Sequence, residues 1–318
     1  MHRVNVKNVA LLSLLLLLTV ITLTVVGCNK QKKVTSPEFV VGINQYVQHP
    51  ILDSVFVSLK NELAKYPNIK LIEKNAAGNA LTCKQINDQF VQQKVNAIVA
   101  LGTPAAQSAI ETTTVIPVVF GAITDPVGSK LADSIELPGG NKTGTTNRWP
   151  FEKQVSLIKT MLPNAKNVGI LVNPAEANCE AGMKIIRIEA AKYNLKLVEV
   201  NISNSSEISS ATESLRKRVD VILISPSNVL FSGLDSMFKV ASKYNIPVLG
   251  GDVSSVDKGS IATYGFNNND VGKMTAEILM KVLNSKELAG TIPVMGPPPS
   301  KLYMNSDMMK KYNLTKPL

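Results

Sequence analysis

Histidine is nearly absent from this chain. Of 318 residues only His2 and His49 are histidine. Ser-His-Asp chemistry, histidine-built metal centres and most general-base arrangements would therefore all rest on His49. His49 precedes Pro50 at an expected strand-to-helix turn, where lining a cleft is a more fitting role than catalysis. Cysteine is scarce too. Cys28, Cys83 and Cys179 form no C-x-x-C pair and no zinc spacing. No nucleophile-elbow pattern is present. The reading is a protein that is not an enzyme and that needs no cofactor and no metal. Aromatic residues make up 5% of the chain, with Trp149 the single tryptophan. The net charge is +10, yet the basic residues are scattered, apart from Lys32-Lys33 and Arg216-Lys217-Arg218. Without an aromatic-interleaved basic patch, a nucleic-acid partner is not expected. The charge instead favours solubility and proximity to an anionic membrane.

What is present begins with the N-terminus. Arg3 and Lys7 give a positive start, an apolar run extends from Val9 to Val26, and Gly27-Cys28 ends it before the polar Asn29-Lys30-Gln31. A basic head, an apolar middle and a small residue before a cut site describe a secretory signal peptide. The small residue followed by cysteine resembles the bacterial lipobox. That implies cleavage before Cys28 and a diacylglycerol on its thiol. The competing reading is an uncleaved transmembrane anchor, because the run is about long enough to span. Both readings place the remainder outside the cytoplasm, at the cell envelope. The expected layout is a lipoprotein signal peptide over 1–27 and a tether over 28–38.

Beyond the tether, short β-rich runs alternate with helical patterns. Strands are expected at 39–43, 70–73, 96–101 and 116–120, with helices at 52–65, 83–94 and 104–111 between them. The series then restarts. Strands are expected at 167–172, 196–200, 220–224 and 245–249, with helices at 177–193, 207–217 and 229–244. The tail reads as strand 260–264, helix 270–284 and strand 292–295. Such alternation implies parallel sheets covered on both faces. The stretch KVNAIVALGTPAAQ corresponds in phase to RVDVILISPSNVLF, and TTTVIPVVFGAITDPV to KYNIPVLGGDVSSV. The fold class is therefore α/β, two doubly wound parallel-sheet lobes joined by a hinge. Three crossings are expected, near 145–150, 264–266 and 289–291. Lobe 1 would comprise 39–147 plus 265–289, and lobe 2 would comprise 148–264 plus 290–318. Cys83 and Cys179 then fall in different lobes, where free buried thiols suit lobes that must move.

Ligands of open α/β sheets lie beyond the carboxyl ends of the strands. Four turns occupy such positions: Asn44-Gln45, Gly102-Thr103-Pro104, Thr124-Asp125-Pro126 and Asn173 to Asn178. At the second, Thr103 reads as an N-cap before Pro104, and a helix start there favours an anion such as a carboxylate. Thr103 and Asp125 could equally serve only as caps, and Glu176 could serve only the helix dipole. Asn228 could be a turn residue.

Several segments together resemble the ABC-transporter substrate-binding family typified by tryptophan/tyrosine-type uptake proteins. They are VGINQYVQHPILD, IVALGTPAAQSA, IPVVFGAITDPVGSKL, LPGGNKTGT, EKQVSLIKTMLPNAKNVGILVNPAEAN and GGDVSSVDKGSIATYGFN. The resemblance implies a periplasmic-binding-protein type I fold and capture of a small-molecule ligand between closing lobes. It also implies delivery of that ligand to a cognate ABC permease and ATPase by a monomer held to the membrane by its lipid. The ligand it implies is an amino acid, possibly aromatic. An extracytoplasmic ligand sensor on the same fold is the alternative. Carried onto this chain, the cleft residues are Gln45, Thr103, Asp125, Glu176, Asn178, Asn228 and Asp252. Two departures each remove an acid. Gly144-Thr145-Thr146-Asn147 stands where the family commonly has G-x-S-D, and Pro226-Ser227-Asn228 where it often has T-D-N. Trp149 could stack on an aromatic ligand or pack the hinge.

Overall fold

A computed structural model describes residues 39–285 and 287–315. The expected signal peptide, Cys28 and the tether up to residue 38 lie outside the described residues.

The first sheet is built from β1 (Phe39–Gln45), β2 (Ile69–Asn75), β3 (Ala97–Leu101), β4 (Val118–Ile123) and β5 (Lys142–Thr146), in the order β2-β1-β3-β4-β5. All its pairings are parallel. Parallel neighbours need crossovers, and three helices supply them: α1 (Pro50–Leu63), α2 (Ala80–Gln92) and α3 (Thr103–Thr112). The central β3, Ala-Ile-Val-Ala-Leu, is buried along its whole length, as its unbroken apolar run requires when both faces are covered.

The second sheet repeats the plan. β6 (Asn167–Val172), β7 (Lys196–Asn201), β8 (Val221–Ile224) and β9 (Val248–Gly250) pair in the order β7-β6-β8-β9, the same order as the first four strands of the other sheet. Its helices are α4 (Phe151–Met161), which precedes β6, then α5 (Ala177–Lys192), α6 (Ile208–Ser214), α7 (Asn228–Ser232) and α8 (Leu234–Lys243). The helix expected over 229–244 is thus two helices. The break falls at Gly233, where an added Cβ would lie 2.6 Å from Ile208 Cδ1. Cys83 on α2 and Cys179 on α5 are both buried free thiols.

After the short helix α9 (Ser254–Lys258) and strand β10 (Ala262–Gly265), the chain returns to the first lobe as α10 (Asn268–Asn284). This helix lies against α1, where Ser58 Oγ donates to Asn269 O at 2.7 Å. Gly272 makes the close approach possible, since a Cβ there would sit 2.4 Å from Val55 O.

The tail departs from the sequence expectation. Residues 292–295 form no strand, only a single bridge between Met295 and Thr145. Val294 N donates to Ile135 O, and Met295 N donates to Gly144 O. The chain therefore stays on the first lobe through Met295, beyond the crossing expected at 289–291. The reason is β5, whose edge offers backbone acceptors to this segment. β5 itself was not expected, because Lys-Thr-Gly-Thr-Thr carries no apolar alternation. Past the prolines, β11 (Lys301–Met304) pairs antiparallel with β10, and α11 (Ser306–Lys311) follows.

Candidate functional site

The carboxyl ends of β3, β4, β5 and β8 converge between the two lobes, with the N-terminal turns of α1, α3, α5 and α7 beside them. The cavity they enclose has a volume of about 20 Å³, roughly room for one water molecule. No lining residue is acidic and none is lysine or arginine. On the outer side, the lobes face one another across an open groove of about 800 Å³ that includes Tyr46, Asn79, Asn173 and Glu176.

His49 enters from the first lobe. Pro50 opens α1, so His49 is its N-cap in extended conformation, and its Nδ1 accepts from Leu52 N at 3.4 Å. With Nδ1 accepting, Nε2 carries the proton and donates to Asn228 Oδ1 of the opposite lobe at 3.2 Å. Burial pushes the His49 pKa down to about 4, against the opposing influences of the Asn228 hydrogen bond and the Asp53 charge. The ring is therefore neutral at pH 7.

Thr103 stands at the first turn of α3. It is not the N-cap. That place belongs to Gly102, at φ 91, which makes no side-chain cap bond, and only glycine adopts that conformation without strain. The Thr103 hydroxyl is thus released from capping. Thr103 is 1% exposed, and its Oγ1 has no hydrogen-bond partner. Across the cavity Asn147, the residue after β5, is 6% exposed, and its Oδ1 likewise has no partner. Among the described residues, the other buried side-chain atoms without partners, on Asn44, Ser129 and Asn268, belong to residues that do not line this space. Buried polar groups normally find partners, so two residues of one cavity wall that each carry an unpartnered polar atom are candidates for contact with a ligand. Ala122, also lining the cavity, has φ 59 at the irregular register between β4 and β5. Bulges of this kind redirect chains beside functional sites.

The second lobe contributes a braced asparagine pair. Glu176, the N-cap of α5, accepts from Asn228 N at 2.7 Å and from Val229 N at 3.0 Å. Its carboxylate thus holds the start of α7. Burial raises the Glu176 pKa above the ordinary carboxylate range, with the two N–H donors opposing. Asn178 Nδ2 donates to Pro226 O at 2.6 Å, and Asn228 Nδ2 donates to Asn178 Oδ1 at 3.4 Å. Trp149 and Phe231 complete the wall edge to face at 5.5 Å, with His49 5.8 Å from Phe231, spacings typical of paired aromatic rings.

Thr103, Asn178 and Asn228 therefore line the cavity, with Glu176 directly behind them on the groove side. Three other sequence candidates do not reach it. Gln45 turns its amide to Asp53 Oδ1 at 2.7 Å and to Val47 O. Asp125 closes its own turn by accepting from Gly128 N at 2.8 Å. Asp252 is buried among Ser254, whose hydroxyl donates at 2.8 Å, and Asn268, whose amide donates at 2.9 Å. Each of these polar side chains has a local partner, and that satisfaction holds it away from the cleft. Thr124 lines the cavity from one of the turns the strand-end rule singled out, whereas Asn147 and Phe231 line it although no strand-end rule points to them as binders. Phe231 could have been found from its i+3 spacing to Asn228 on a helical turn. Asn147 stood out only as the position where the family's G-x-S-D acid is missing; its place in the cavity wall could not be read, because β5 was not expected.

Comparison with known proteins agrees with this geometry. A family model described as ABC transporter substrate binding protein matches residues 40–317. A tyrosine-binding protein of Clostridioides difficile (strain R20291) is 33% identical over 91% of this chain and 85% of its own length. Among solved structures, an ABC domain from Streptococcus pneumonia in complex with L-Trp is 27% identical, with a TM-score of 0.84 over 88% of this chain and 96% of that one. A ligand-free, open substrate-binding protein with adhesive properties from Clostridium difficile is 31% identical over the same shares, yet its TM-score is 0.66. In this chain the lobes are closed on one another, meeting through His49 and Asn228. The chain belongs to the ABC transporter substrate-binding protein family and has the type I periplasmic-binding-protein fold.

Proposed function

We propose that this protein captures an aromatic amino acid between its lobes and presents it to an ABC permease and its ATPase, without turnover. The observation that carries this is the pair of unpartnered buried atoms, Thr103 Oγ1 and Asn147 Oδ1, on two residues that line a cavity together with Trp149 and Phe231. The start of α3 suits the ligand carboxylate, because Thr103 and Ala105 carry the first N–H groups of a helix and Pro104 needs none. The aromatic wall suits the side chain. The tyrosine-binding and L-Trp-bound relatives support the same ligand class. A cavity of about 20 Å³ admits such a ligand only after the lobes part, so binding is coupled to opening and closing.

Members of this family act outside the cytoplasm, and the Gly27-Cys28 junction supports attachment through a lipid on Cys28. Replacing Cys28 by Ala should release the protein from membranes into the soluble fraction. Unchanged membrane association would remove the lipid from this reading.

The decisive experiment is a thermal-shift screen of the purified protein with tyrosine, phenylalanine, tryptophan, other amino acids, sugars and purines. A ligand of the native state raises Tm in proportion to RT ln(1 + [L]/Kd). Saturable shifts with aromatic amino acids support the assignment. Shifts confined to sugars or purines would overturn it.

A further inference from the structure

No acidic side chain lines this cavity. The lining holds neutral amides, hydroxyls, aromatic rings and aliphatic groups. The nearby carboxylates are engaged elsewhere. Glu176 is bound to two backbone N–H groups at the start of α7. Asp53 accepts from Gln45, Asp125 from Gly128, and Asp252 from Ser254 and Asn268. A closed cavity strips water from whatever it encloses. A ligand ammonium placed there loses hydration and gains no opposite charge, only neutral acceptors.

Two of these acceptors are left open, Thr103 Oγ1 and Asn147 Oδ1. Both are buried and unpartnered, on residues of the cavity wall. The start of α3, with the Thr103 hydroxyl, takes the carboxylate end of the ligand, so Asn147 meets the substituent on the α-carbon. An amide oxygen accepts from an ammonium, and it accepts from a hydroxyl as well.

Resting on the amino-acid reading above, we infer that Asn147 sets the ligand range at the α-position and makes it broad. The site takes aromatic 2-hydroxy acids as well as aromatic amino acids. Exchanging –NH3+ for –OH removes a charge that the site does not pair, and it keeps a donor that Asn147 can satisfy. The two ligands share the carboxylate and the ring, so the rest of the site does not distinguish them.

The test is isothermal titration calorimetry on the full chain with matched pairs: L-phenylalanine against L-3-phenyllactate, and L-tryptophan against indole-3-lactate. In the wild-type protein the hydroxy acid should bind within about tenfold of its amino acid. Asn147→Asp supplies the missing charge and should shift the ratio toward the amino acid by about 10- to 100-fold. Asn147→Ser, which keeps a neutral acceptor, should leave the ratio within about tenfold. Should the Asp variant not fold, the wild-type ratio and the Ser variant decide between the outcomes. Binding of the amino acids with rejection of the hydroxy acids by more than 100-fold overturns this inference and leaves the proposed function standing. Binding of neither class overturns both.

Discussion

His49 Nε2 donates to Asn228 Oδ1 at 3.2 Å, joining the start of a helix in one lobe to the start of a helix in the other. This contact exists only while the lobes are closed. It also makes closure sensitive to acid. In an opened cleft His49 meets water and titrates near its ordinary value of about 6.5, whereas the closed cleft holds it at about 4. Between those values the open state binds more protons, so falling pH favours opening. The stability of the closed state is fully present above pH 6.5 and is lost as pH falls toward 4. Ligand affinity should be roughly 30-fold weaker at pH 5 than at pH 7.5, measured by calorimetry. His49→Gln keeps a donor for Asn228 and has no proton to gain, so its affinity should be flat over that range. An equal pH loss in the Gln variant would assign the effect elsewhere.

Trp149 is the only tryptophan, and it is 4% exposed at the cavity wall. Its fluorescence should change saturably as a ligand enters and the lobes reclose. Trp149→Leu should weaken an aromatic ligand by at least about tenfold through loss of the ring contact. It should also abolish the signal. A ligand that binds the Leu variant with undiminished affinity would show that the ring only packs the hinge.

Glu176 serves two backbone N–H donors at once. The amide of Glu176→Gln has one oxygen, so it can accept from both only at poorer geometry, and its NH2 group faces donors. The variant should lose about 1–3 kcal/mol, a Tm decrease of roughly 2–5 °C for a chain of this size. Ligand binding should weaken with it, because Asn228 depends on the same bracket. Differential scanning calorimetry gives the first quantity and titration the second.

Gly272 sets two effects of opposite sign against each other. Glycine to alanine inside a helix ordinarily stabilises by about 1 kcal/mol. Here the added Cβ would lie 2.4 Å from Val55 O and 2.7 Å from Ser58 Cβ, so α10 must move off α1. Overpacking of this kind costs about 1–3 kcal/mol, and backbone on one side cannot give way. Gly272→Ala should therefore be net destabilising in urea unfolding. A gain in stability would mean that the two helices pack more loosely than described.

Much of this protein was determined by its sequence alone. The apolar runs of β3 and β8 require strands buried on both faces, and the alternation of strand and helix patterns dictates two parallel sheets. The matching phase of residues 94–107 and 218–231 announces a repeated architecture, borne out by the shared strand order. Thr103, Asn178 and Asn228 were accessible to the rule that ligands gather at strand ends. The tertiary structure decided the rest. Whether a strand-end side chain is free or satisfied depends on neighbours distant in the chain: Asp53 takes the Gln45 amide, Asn268 reaches Asp252, and Gly102 relieves Thr103 of capping. β5 has no hydrophobic alternation, so its place beside β4, the late lobe crossing after Met295 and the exposure of Asn147 to the cavity became visible only in three dimensions. Hydrophobic patterning is local and survives in one dimension. Hydrogen-bond satisfaction is set by packing, and in this chain it separates residues that line the cavity from those engaged beside it.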